Sequence, residues 1–384
     1  MTKSKRSLKV TARVLFVLFL VPKSLLLFST GVFWRGEHPM IDNLSIIISL
    51  QILGILTAMI FFRMRNAQKD QSIKYSLKEL DFIIIFFIFL SLLYLASLGF
   101  PLLSSNVNYA KLSFNSNPIA ARIVRLLIPC LLFVLVFRFG TGTLRYITVP
   151  AILLLTGFKG YLVTYFMLPI VYAMSVSGRS FNYRTLMLAG LMLCLLLFII
   201  SYIERVEIGL VFYFIFLRLT VSQNESLIVI SDYFSKVSET NSIVTSFQAA
   251  ASKFGLSNVK PLNHELFSLM HGDNPNNIQL AIPFVAEIYV SFGPIFAFFW
   301  VAVELYLLVI IISWFYKFRR SNLKLMINFM LYMTLSDIAF SGNAGIKLVD
   351  LLFSSIFLTV AYKTVQTIFR SLPKKVDEIE NNKS

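Results

Sequence analysis

The chain has 384 residues, 57% of them hydrophobic and only 14% charged, with a formal net charge of +16. A soluble globular domain carries about 25% charged residues, so the mean hydropathy of +0.76 excludes an ordinary soluble enzyme and points to apolar spans joined by short polar turns. The positive balance would suggest nucleic acid in a soluble protein, but no nucleic-acid partner is expected here, because Lys and Arg collect in the cytoplasmic loops of membrane proteins.

The apolar runs do not alternate as barrel strands would, so the reading is an all-α polytopic membrane protein. About ten helices are expected, with both termini cytoplasmic and one large outer loop. Residues 1–203 hold spans 1–7, residues 204–283 the outer loop, residues 284–370 spans 8–10, and residues 371–384 a cytoplasmic tail.

Span 1 covers about Val14–Phe33 behind a basic start and is read as a retained anchor, since no small-residue cleavage site follows it. Span 2 covers about Ile41–Phe62, span 3 about Phe82–Leu103, and span 4 about Ile119–Phe139 after a polar outer loop at Ser104–Pro118. A tight hairpin comes next: Tyr146–Thr156 rises, Gly157-Phe-Lys-Gly160 turns, and Tyr161–Val176 returns. Span 7 covers about Thr185–Ile203. Span 8 ends at Tyr316, span 9 covers about Leu325–Phe340, and span 10 about Leu348–Phe369. Every inner loop carries at least two Lys or Arg, as the charge rule requires. The run Glu207–Leu219 is too short to cross and is read as a helix at the outer interface. No internal repeat of the kind common in transporters is visible.

The outer segment Glu204–Pro283 is far longer than a connection between spans needs. It holds His264 and His271, whose side-chain type suits a general base near neutrality. Tyr233 and Phe234 are aromatic residues suited to packing against the spans or to stacking on a ligand. The two cysteines, Cys130 and Cys194, lie in apolar runs and imply neither disulfide nor metal. No zinc, P-loop, nucleophile-elbow or dinucleotide motif is present, so neither metal nor cofactor is expected.

The informative cations are those outside the cytoplasmic loops. Arg122 and Arg125 lie three apart in span 4, where a charge costs about 3 kcal/mol at mid-membrane. Snorkelling to outer headgroups and facing an anionic ligand both satisfy this placement. Lys159 stands at the hairpin tip between two glycines, and Arg205 and Arg218 bracket the interfacial run. An outward basic cluster of this kind suits a diphosphate, since Arg pairs with phosphate bidentately and Lys acts as a point charge. Glu304 is an intramembrane carboxylate, and Lys347 is positioned to pair locally with Asp350, near Asp337.

Three features together resemble bacterial O-antigen and capsule repeat-unit polymerases of the Wzy type. These are the Thr156-Gly-Phe-Lys-Gly160 hairpin, the late outer loop, and its exit Pro283-x-x-x-Glu287-x-Tyr-x-x-Phe-Gly293. The resemblance implies a C-type glycosyltransferase of the bacterial inner membrane. It would use a polyprenyl-diphosphate-linked oligosaccharide, need no cofactor or metal, and work beside a chain-length regulator and a flippase. It implies a diphosphate contact at Lys159 and, by a looser match, at Arg218 and Arg205, with His271 activating the acceptor. Arg122 and Arg125 join the diphosphate candidates from their own placement, and Glu287 of the junction is a further catalytic candidate. O-antigen ligases share this architecture, and a lipid-linked oligosaccharide flippase is the reading from a different class.

Overall fold

The computed structural model describes residues 77–107, 113–114, 121–140, 148–158, 161–177, 242–252, 255–260, 284–318 and 320–371. Shorter pieces are described at 52–53, 110, 190–191, 194–195, 197–202, 207, 209–211 and 268. Every regular element among the described residues is helical. The helices are α1 (Leu77–Ser97), α2 (Ile128–Phe139), α3 (Thr148–Leu155), α4 (Leu168–Ser177), α5 (Ser242–Ser252), α6 (Phe284–Phe292), α7 (Pro294–Phe318), α8 (Asn322–Ser341) and α9 (Ala344–Ser371).

Among the described residues, three stretches are long and apolar enough to cross a membrane: Leu80–Leu103, Ile295–Phe315 and Ala344–Ile368. Their outward faces are apolar as well. On α1, Phe82, Ile85, Phe86, Phe89 and Leu93 are exposed at helical spacing, while Leu80, Ile83, Ile84 and Phe87 are buried on the opposite side. A stripe of large exposed hydrophobics of this kind is compatible with lipid and unfavourable in water. The same holds for Ile295, Phe296, Phe299 and Val303 on α7 and for Leu352, Ile356 and Val360 on α9.

The expected spans 3, 4, 8, 9 and 10 and the short hairpin coincide with described helices. Span 1, all of span 2 but residues 52–53, about half of span 7, most of the Glu207–Leu219 run and most of the outer segment lie outside the described residues.

The chain divides into two compact units. The first takes Met1–Asp70, Val171–Arg320 and Asn328–Leu352; the second takes Gln71–Ile170, Ser321–Ile327 and Phe353–Ser384. In the second unit α1 packs on α2 and α3. Residues Ile128 to Val136 of α2 are buried without exception, so this helix forms the centre of that unit. Arg138 at its end donates from Nε to Asn322 Oδ1 at 3.0 Å. In the first unit α6 packs on α7 and on α5. Phe315, Phe329 and Tyr332 form a buried aromatic group there, with Tyr332 donating its hydroxyl hydrogen to the Tyr172 oxygen.

Two helices begin irregularly, and proline gives the reason. Ile123–Leu127 is a π-helical turn, closed by the Ile128 N–H donating to Ile123 C=O, five residues back. Pro129 follows at once, and it cannot donate to the carbonyl of Arg125 and would press its ring against it. Widening the turn relieves that clash. The pattern repeats at Leu162–Met167, which is also π-helical and runs into Pro169. The widened turns carry Arg125 and Tyr165 at the position four before each proline. Such turns occur often where a helix serves a function.

Candidate functional site

The site is built on the hairpin and on the π turn of Arg125, both within the second unit. Helix α3 closes at Thr156, which is fully buried and donates its hydroxyl to Leu153 C=O at 2.6 Å. The Phe158 N–H donates to Thr156 Oγ1 at 3.3 Å, and the Gly157 N–H to Leu154 C=O at 2.9 Å. Gly157 has φ 77°, in the left-handed region where glycine carries no Cβ penalty. The Tyr161 N–H donates to Phe158 C=O at 3.1 Å, and the two rings stack at 4.5 Å and 13°. The ends of the tip are therefore tied by backbone and by side chain.

Arg125 reaches this tip. Its guanidinium lies 5.8 Å from the Phe114 ring centroid and 5.8 Å from that of Tyr161. The two rings stand 6.2 Å apart at 68°, so together they form a cradle. Phe114 is fully buried and also meets Phe158 at 6.1 Å. Tyr94 of α1 holds it in place, donating its hydroxyl hydrogen to Phe114 C=O at 2.9 Å. Tyr165 extends the aromatic wall, with its ring 4.7 Å from Tyr161.

The electrostatics of Arg125 are unusual. Its Nε is buried without a hydrogen-bond acceptor, and among the described residues no carboxylate pairs with it. A guanidinium stays charged and presents its donors in a planar fork. Each aromatic face contributes about 0.5–2 kcal/mol of cation–π attraction. That attraction holds the cation in place without satisfying its N–H donors, and an anion with several oxygens would satisfy them.

Arg122 is half-buried, one turn before Arg125 on the same helix. The structure thus brings Arg125 together with Tyr161, at the returning side of the hairpin. Lys159 itself, Arg205, Arg218, His271, His264, Tyr233 and Phe234 lie outside the described residues. The aromatic residues Tyr94, Phe114 and Tyr161 were not among the residues singled out from the sequence. Pro129 and Pro169 mark in the sequence the widened turns that carry Arg125 and Tyr165, but no such mark points to Tyr94 or Phe114.

Glu287 belongs to the first unit. It is 1% exposed, and its Oε1 accepts the Asn343 N–H at 2.8 Å. Helix α6 ends before the apolar span that begins at Ile295, so this carboxyl stands outside the three spans. Burial pushes it up to about 7, against the Asn343 hydrogen bond and the Lys347 charge, which pull it down. In this arrangement the carboxyl fastens a turn and faces no open surface. Lys347, expected to pair locally with Asp350, is held by Asp337 at the end of α8: its Nζ is 3.1 Å from Oδ2 and 2.9 Å from the carbonyl oxygen. The α8–α9 turn brings Asp337 back over the start of α9, so the pair forms between helices.

Compared with known protein families, curated proteins and solved structures, the chain matches none.

Proposed function

We propose that the chain is a multi-pass glycosyltransferase of the bacterial cytoplasmic membrane that joins polyprenyl-diphosphate-linked oligosaccharide repeat units into a surface polysaccharide. The observation that carries this reading is the Arg125 guanidinium, held between Phe114 and Tyr161 beside the hairpin tip with no carboxylate partner among the described residues. Such a cation in a largely apolar protein suits an anionic group at the lipid headgroup level.

The chemistry is a displacement at an anomeric carbon. A hydroxyl oxygen of the acceptor unit forms the new bond to that carbon as its bond to the phosphate oxygen breaks. The diphosphate leaves with the electron pair on its polyprenyl carrier. Fixed cations stabilise the negative charge that grows on the leaving group, a role assigned to Arg125, Arg122 and Lys159, with Arg205 and Arg218 from the outer segment. His271 is the candidate to take the hydroxyl proton. Holding two lipid-anchored substrates side by side supplies much of the rest of the rate.

Deleting the gene in its host and sizing the surface glycan tests this reading. The expected result is single repeat units in place of long chains. Long chains retained on the lipid carrier would identify a ligase instead, and repeat units trapped on the cytoplasmic side would identify a flippase.

A further inference from the structure

We infer that Glu287 is the positioning residue of a proton-sensitive seat that docks helix α5 and the loop-exit helix α6 onto the start of α9. The inference does not rest on the glycosyltransferase reading, since it concerns how three remote segments are held together.

The seat is assembled around the turn between α8 and α9. Gly342 and Asn343 both adopt left-handed backbone, at φ 62° and 56°. Asn343 caps α9, its carbonyl accepting the Lys347 N–H at 3.1 Å. The N–H groups at the start of any helix lack partners within it. Two of them here are satisfied by residues from far away in the chain. Glu287 Oε1 accepts the Asn343 N–H at 2.8 Å, and Ser246 Oγ of α5 accepts the Gly345 N–H at 2.9 Å. Ser246 is 1% exposed, so the bond is made in the interior.

Gly345 admits α5 to this position. A Cβ there would lie 2.6 Å from the Phe247 nitrogen and 2.7 Å from its Cα, so the backbone of α5 occupies the space a side chain would fill. Helix α5 also packs on α6. The outer segment is therefore fixed to the span region at its middle and at its exit by contacts that share one turn.

The proton sensitivity follows from what surrounds Glu287. Helix α5 carries no charged residue, and α7 carries none between Pro294 and Val303. On α6 the only other titratable group is Tyr289. From α9, Lys347 faces the carboxyl, with Asp350 further along, and α8 contributes Asp337, which is bonded to Lys347. Burial is the largest influence on the carboxyl and favours its neutral form. A carboxyl raised in the docked state stabilises docking fully below its ordinary range. That contribution is lost as the pH rises through about 7 and changes no further above it. The seat is tight in mild acid and looser at and above neutrality.

Hydrogen exchange on the full chain in lipid nanodiscs, between pH 5 and pH 8 and corrected for intrinsic exchange, reads this directly. Protection of the Ser242–Ser252 amides is expected to fall on the order of tenfold across that range. Glu287→Gln, a neutral isostere, is expected to abolish the dependence. Lys347→Met, which removes the facing cation, is expected to move the midpoint to higher pH and gives an independent reading should Glu287→Gln fail to fold. Flat protection in the parent chain, a Glu287→Gln chain that keeps the parent's profile, or an unmoved midpoint in Lys347→Met would each overturn the inference.

Discussion

Replacing Arg125 by methionine separates a structural arginine from one kept for a ligand. The substitution keeps length and apolar stem but removes the charge. Two ring contacts at 5.8 Å are lost, at about 0.5–1 kcal/mol each for a partly exposed cation. Against this, the buried Nε that lacks an acceptor disappears, and leaving such a donor unsatisfied costs about 1–3 kcal/mol. The two effects offset to within about 1 kcal/mol, so Arg125→Met should unfold at nearly the same temperature as the parent in the same detergent. The ligand side behaves differently. Removing one fixed donor from a developing oxyanion costs about 10²–10³ in rate, so long-chain product should vanish while protein level in the membrane stays normal. Inorganic diphosphate at about a hundred times its dissociation constant should stabilise the parent by about 2.7 kcal/mol, and should leave Arg125→Met unchanged. A variant that loses more than about 3 kcal/mol of stability, together with a parent indifferent to diphosphate, would refute the reasoning and make Arg125 a packing residue.

Other expectations follow from single contacts. Gly345→Ala places a Cβ 2.6 Å from the Phe247 nitrogen; overpacking of this kind costs about 1–3 kcal/mol, and limited proteolysis should cut within residues 242–252 faster than in the parent. Pro129→Ala restores a donor four residues after Arg125, so the π turn should revert to ordinary helix. Thermal stability is then expected to hold or rise while chain polymerisation falls, because Arg125 is rotated away from Phe114 and Tyr161; unchanged polymerisation would show that the π turn is incidental.

Much of the helix placement was legible because a helix that crosses a membrane must be apolar over about 20 residues. Leu80–Leu103, Ile295–Phe315 and Ala344–Ile368 satisfy that on composition alone. The hairpin was legible for a different reason: Thr156-Gly-Phe-Lys-Gly160 breaks an apolar run with two glycines. Arg125 stood out as a cation in such a run. Its cradle did not. Phe114 sits in a polar stretch that reads as an outer loop, and its complete burial comes from Phe158 and Tyr161, over forty residues later in the chain. The π turns also shift which residues share a face, so ordinary helical spacing misplaces the side chains near Pro129 and Pro169. Glu287 was visible as a carboxyl at a loop exit, but its bond to the Asn343 N–H depends on a turn 56 residues away.

The most direct test of the central claim is reconstitution. The purified chain, placed in liposomes with a synthetic polyprenyl-diphosphate-linked repeat unit as both donor and acceptor, is expected to yield a ladder of lipid-linked oligomers. One free polyprenyl diphosphate should appear for each new glycosidic bond. Repeat units that stay single, with no carrier diphosphate released, would contradict it.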